Sequence, residues 1–259
     1  MKLNTRNLSR RNREAGLTLI ELVVVLTVLT ALGGILVPVI GNMISRTHFA
    51  KCAVTIPDIT RSLTRSFASD LRYPDQWDSL VADDGGLFSK LPGGDAGGNL
   101  SIATLSADQV GGLAALGIRS VVDLDDTIDG DATWDVAELG KTVRTLSDGG
   151  EVVVLDPLGP SAVSLNLKRH IADATTQYVV LGIGNNCTAV GPTGLFVESP
   201  THFGGEDAMN PRDVYQRYAA IFSMNGAGDV FFECAASIHP DGLDGAEAHI
   251  RGYYDETAD

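Results

Sequence analysis

LTLIELVVVLTVLTALGGILVPVI, residues Leu17 to Ile40, is a run of twenty-four residues whose one ionisable group is Glu21. A helix needs about 20 apolar residues to cross a bilayer, so the run reads as one membrane span. Ahead of it, residues 1–16 carry Lys2, Arg6, Arg10, Arg11 and Arg13 against Glu14 alone, a net charge of +4. The whole chain of 259 residues has 19 basic and 33 acidic residues, a net charge of −14. The part after residue 16 therefore holds 14 basic and 32 acidic groups, or −18. Basic flanks stay cytoplasmic, so the leader is expected inside and the long acidic portion across the membrane. That acidic surplus argues against a nucleic-acid partner. The 44% hydrophobic content supplies apolar area for a folded head rather than a disordered tail.

A secretory signal peptide has a shorter apolar region, of about 7–15 residues, and a small-residue cleavage site after it. This run is longer and ends Val37-Pro38-Val39-Ile40. A twin-arginine signal is hinted at by Ser9-Arg10-Arg11, but Asn12, Arg13 and Glu14 follow where an apolar segment should begin. A plain anchor accounts for the hydrophobicity but not for Glu21. A carboxylate costs about 2.5–3.5 kcal/mol at the centre of a span and less near its end, so Glu21 needs a partner or a purpose.

Gly16 followed by Leu17-Thr18-Leu19-Ile20-Glu21-Leu22 resembles the class III signal of type IV prepilins and type II secretion pseudopilins. The resemblance implies that a membrane-embedded prepilin peptidase, which is also the N-methyltransferase, cuts after Gly16 and methylates Leu17. Glu21 is then the fifth residue of the mature chain, and Pro38 lies twenty-two residues into it. Leucine stands where phenylalanine is more usual in that family. The same resemblance implies other pilin or pseudopilin subunits, an inner-membrane assembly platform and membrane lipid as partners.

The chemistry of these positions follows from the residues. Glycine leaves the scissile backbone unshielded. Glu21 lies one helical turn from the cleaved terminus, where unpaired amides make a helix end partly positive. In a bundle of such helices its carboxylate neutralises the α-amine of Leu17 on a neighbour, which would set axial register; a contact within its own first turn is the other reading. Pro38 removes one helical hydrogen bond at roughly 3 kcal/mol, and Gly33 and Gly34 weaken the helix beside it. Residues 33 to 38 are expected to be its weakest part, either a place of local melting on assembly or a tolerated kink.

Beyond the span, Ile40, Ile44, Cys52, Ile56, Ile59, Leu63, Phe67 and Leu71 recur every three or four residues, skipping His48. Residues 41–72 thus read as an amphipathic helix continuing the span and laying its stripe on a head. Pro57 either divides it or opens a second segment. Residues 73–150 are rich in Gly and Asp and read as an irregular insert, with short helices near Ala107 to Leu116 and Trp134 to Gly140. Strand patterns dominate 151–259: Glu151 to Leu155, Gln177 to Ile183, Leu195 to Glu198, Arg217 to Met224 and Asp229 to Ala235. The last two flank Asn225-Gly226-Ala227-Gly228 as a hairpin, and residues 255–259 read as an acidic tail. The fold class expected is α+β and pilin-like, a long N-terminal helix packed on an antiparallel sheet.

Of the cysteines, Cys187 and Cys234 are the candidate disulfide in an oxidising compartment, and Cys52 lies on the apolar stripe as a buried thiol; a bridge from Cys52 to either of the others stays open. Asp123, Asp125, Asp126, Asp129 and Asp131 have the oxygen density of a calcium site without EF-hand spacing. Major pseudopilins of the resembled family carry calcium in a C-terminal loop. By that resemblance Asp241 and Asp244, or Gly204-Gly205-Glu206-Asp207, are further calcium candidates; solvated acidic turns are the plainer reading of each. No other cofactor is expected. His170, His202, His239 and His249 are scattered, without a His-Glu-x-x-His pair. Gly182-Ile-Gly184 lacks the third glycine of a nucleotide loop, and no Gly-x-Ser-x-Gly elbow occurs. The chain is therefore expected to be no enzyme but a structural subunit of a pilus or secretion pseudopilus, a single-pass inner-membrane protein until assembly. The rival is an anchored, outward-facing binding domain that never polymerises, with or without calcium.

Overall fold

The structure, a computed structural model, describes residues 19–126, 141–167, 176–202, 210 and 213–255. It divides into two compact units, Met1–Met43 and Ile44–Asp259. The basic leader, the Trp134–Gly140 helix, Asp129, Asp131, His170 and Gly204–Asp207 lie outside the described residues.

Helix α1 (Leu19–Asp70) supplies the described part of the first unit and the opening of the second. Within Leu19–Leu36 mean hydropathy is 2.5, enough by length and composition to cross a membrane, and none of the window is buried. Its two threonines are satisfied locally. Thr27 and Thr30 donate their hydroxyls to the carbonyls of Val23 and Leu26, both at 2.7 Å. α1 also runs through Pro38 and Pro57. The expected division at Pro57 does not occur, because Ile56 and Ile59 on either side are buried in the head core and hold that turn.

In the second unit the stripe of α1 is buried at Cys52, Ile56, Ile59 and Leu63. It does not skip His48, which is buried as well. The sheet has nine strands among the described residues: β1 (Trp77–Ala82), β2 (Leu100–Thr104), β3 (Ser120–Leu124), β4 (Lys141–Thr145), β5 (Glu151–Leu155), β6 (Gln177–Gly182), β7 (Ala219–Met224), β8 (Val230–His239) and β9 (Gly242–Asp244). The order is β4-β3-β1-β6-β7-β8-β9, with β5 also pairing β6 and β2 pairing β5. All pairs are antiparallel except β1 with β3. The molecule is thus α+β, with the long helix on a mixed sheet.

Central strands are apolar on both faces. From β6, Val179 and Leu181 join the core beside α1 while Tyr178 and Val180 join a second core on the opposite face; in β7, Phe222 and Ile221 divide the same way. Helix α2 (Ala107–Ala115) covers the first face with Leu113, its start fixed by a capping box between Ser106 and Gln109. Helix α3 (Pro160–Ser164) covers the other with Ala162, and helix α4 (Ala246–Asp255) follows β9.

Three expectations are corrected. Residues 73–150 are no irregular insert, since they carry β1 to β4, and β1 is buried at all six positions. Leu195 to Glu198 forms no strand, only a bridge from Phe196 to Val190, and Val197 is exposed. The C-terminal stretch read as sheet and tail contains α4.

Candidate functional site

Of the residues marked by sequence at the N-terminus, Gly16 and Leu17 lie outside the described residues. Glu21 stands in the first turn of α1 and Pro38 within that helix. The first-turn position sets Glu21 against the positive end of the helix.

The head contains a second constellation that the sequence does not announce. Four histidines converge: His48 from α1, His202 from the segment ahead of β7, His239 from the end of β8 and His249 from α4. Ring centroids of His48 lie 5.7 Å from His239, 5.7 Å from His249 and 6.0 Å from His202. His239 lies 5.2 Å from His202 and 5.4 Å from His249. One ring nitrogen from each of His48, His239 and His249 falls within 4.8 Å of the others.

Each ring is placed by its element. His48 precedes Cys52 by one turn on the buried stripe of α1. The amide of His202 donates to the carbonyl of Gln216, which ties its segment to the approach to β7. His239 ends β8 where the chain turns into β9. That turn rests on the loop 92–99, in which Asn99 donates to the carbonyl of Asp241 at 3.2 Å and Gly93, at φ +64°, leaves room for Pro240 that a Cβ would fill. α4 brings His249 close because its Gly252 lies against the ring of Phe49.

Ser237 on β8 organises two of the rings. Its Oγ is 3.0 Å from His239 Nε2 and 2.8 Å from His249 Nε2, and it donates to the carbonyl of Asp244 at 3.3 Å. A hydroxyl has one proton and two lone pairs. With the proton on Asp244, both imidazoles donate through Nε2–H, and their lone pairs fall on Nδ1. His249 Nδ1 is buried with no hydrogen-bond partner, and the same holds for both ring nitrogens of His202. Burial, and then the neighbouring His239 and His48, push the His249 pKa down to about 3. Burial, followed by His239, His48 and His249, holds His202 well below the ordinary range. Both are neutral imidazoles at pH 7, bearing lone pairs.

The thiols are quiet. Cys52 shares a hydrogen bond of 3.3 Å with the hydroxyl of Tyr218, and burial raises its pKa. Burial pushes Cys187 and Cys234 up to about 12. The Cys187–Cys234 disulfide expected from sequence is absent: both are free, Cys187 in the core beside α1 and Cys234 against the core of the opposite face.

Acidic candidates are dispersed. Asp123 is held in a two-pronged pair with Arg144, at 2.6 and 3.0 Å, and accepts from Ser79. Asp126 accepts from the amide and hydroxyl of Ser89, and Asp125 follows β3 near it in sequence. Asp244 accepts from Ser164, and its pKa is raised chiefly by burial. Asp241 contributes its carbonyl to Asn99. Among the described residues no three of these carboxylates come within reach of one ion. Gly182 and Gly184 have a structural use, making room for the Tyr215 hydroxyl and the Asp78 carboxylate. Tyr215 donates to Asp78 at 2.9 Å, and Arg217 lies 3.8 Å from it, both charges buried.

Local sequence carries no spacing that joins positions 48, 202, 239 and 249. The usable signal was His48 itself, a polar residue on a stripe that is otherwise apolar.

Comparison with curated proteins and with solved structures finds no match. Residues 11–37 match the family model described as the prokaryotic N-terminal methylation motif, so the chain carries the prepilin-type cleavage and methylation signature at the head of its apolar helix.

Proposed function

We propose that this protein is a structural subunit of a type IV pilus or a type II secretion pseudopilus. The match over residues 11–37, which runs into a helix described from Leu19 whose apolar side chains are exposed before the head and buried within it, is the observation that carries the reading. The prepilin peptidase cuts after Gly16 and methylates Leu17. The span then anchors the mature chain in the inner membrane with the acidic head outside. Glu21 pairs with the Leu17 amine of a neighbouring subunit as the assembly platform moves subunits from lipid into a filament, because two opposite charges leave hydrocarbon together. Pro38 and the glycines before it give the helix a segment that yields during that transfer.

Coexpression with a prepilin peptidase tests the reading. The expected mature N-terminus is methylated Leu17, and Gly16→Ala should leave the full-length precursor. A different N-terminus, or processing indifferent to Gly16→Ala, overturns it.

A further inference from the structure

We propose that His48, His239 and His249, with His202 as the fourth ligand, bind one zinc ion in the head. Three donor atoms within 4.8 Å of one another already surround a common point. An ion at the centre of such a triangle lies at most about 2.8 Å from each corner, and shifts of under about 1 Å per ring reach the 2.0–2.1 Å of a zinc–imidazole bond. The fourth ring is beside them, 5.2 Å from His239 and 6.0 Å from His48 between centroids.

The unsatisfied nitrogens point to a ligand. A buried polar atom without a partner is costly, and an apolar side chain in its place would pack at less expense. His202 is 1% exposed and leaves both ring nitrogens unpartnered, and His249, also 1% exposed, leaves Nδ1 so. An ion accepting these lone pairs removes that cost. Ser237 supplies the outer support expected of ligating histidines, accepting from the Nε2–H of His239 and His249 and orienting Nδ1 of each.

The donor set selects the metal. Imidazole suits zinc, copper and nickel, whereas calcium and magnesium require oxygen ligands. Four imidazole nitrogens in a largely buried pocket favour a closed tetrahedral zinc site over one that keeps a position open for substrate. Cys52 stays outside the set, its sulfur 3.9 Å from the ring nitrogens of His48 and engaged with Tyr218. The ion would staple α1 to α4, to the end of β8 and to the segment ahead of β7. It is independent of whether the chain polymerises.

Untagged full chain in detergent, stripped with EDTA and dialysed, is titrated with Zn²⁺, Cu²⁺ and Ni²⁺ separately. The expected result is one zinc per chain, a rise of several degrees in the melting temperature reversed by EDTA, and X-ray absorption showing nitrogen ligands without sulfur. Because a ligand variant can lose its fold, the absorption measurement on the unaltered chain stands by itself. In folded His48→Gln and His249→Gln variants the zinc-dependent shift should vanish while the metal-free melting temperature stays. Failure to take up one zinc per chain, sulfur in the first coordination sphere, uptake of copper or nickel but not zinc, or an undiminished shift in both variants overturns the proposal.

Discussion

The two ends of α1 use similar side chains for opposite purposes. Leu26, in the first unit, is 54% exposed; Leu63, in the second, is fully buried. In the stretch 19–36 apolar residues occur on every side and meet only the surroundings of the chain, while from Cys52 onward one side is apolar and the other carries Asp58, Arg61 and Arg65. Around the whole circumference leucine specifies a lipid environment; along one stripe it specifies a protein face. The helix therefore holds two independent energetic contracts, and perturbations at its ends should separate.

The sharpest way to break that comparison is to exchange the perturbations. Leu63→Ala should lower head stability by about 2–5 kcal/mol, seen in a denaturant or thermal melt, while Leu26→Ala leaves that melt unchanged. Leu26→Arg should cost about 2.5–3.5 kcal/mol of membrane insertion, read as loss of the chain from the carbonate-resistant membrane fraction, with the fold of the head intact.

Acid acts on the second unit alone through its histidines. The His249 pKa falls from 6.5 unfolded to about 3 folded, so the folded state binds fewer protons. The stability this implies is complete above pH 6.5 and is lost as pH falls through that interval, at about 1.4 kcal/mol per pH unit for one histidine. A melting series from pH 7.5 to 4 on metal-free protein should show this loss, and a flat series would remove the buried cluster from the account. The smallest effect belongs to the solvent side of α1. Arg61 and Asp58 form an exposed pair at 3.2 Å, so Arg61→Ala should change head stability by less than about 0.5 kcal/mol. A larger loss would mean that this face is covered.

Periodicity made much of this architecture legible. The stripe of α1, helix α2, and strands β5 to β8 follow apolar patterns that local sequence displays. β1 and β3 do not, because Asp78 and Ser79 interrupt Trp77–Ala82 and Asp123 interrupts Ser120–Leu124. Those polar groups are buried only because Arg217, Tyr215 and Arg144 meet them from distant parts of the chain. Pattern reading counts such residues as turn or surface, since the pairing that permits their burial is non-local. The histidines are hidden by the same physics: they come from four elements, and only His48 sat on a face whose burial was foreseeable. The cleavage signature, by contrast, is a local chemical requirement and is fully visible in twenty-seven residues.

The position of β1 has a temporal consequence. It lies between β3 and β6, and its Asp78 meets the hydroxyl of Tyr215, 137 residues later in the chain. A ribosome adding about 5–20 residues per second takes on the order of ten seconds to cover that distance. Throughout that wait the Asp78 carboxylate of this inner strand has no Arg217 to meet, and until β6 is made the strand lacks one or both of its neighbours. The growing chain thus passes through an interval in which a strand destined for complete burial is still uncovered, and the sheet closes only when β7 to β9 follow.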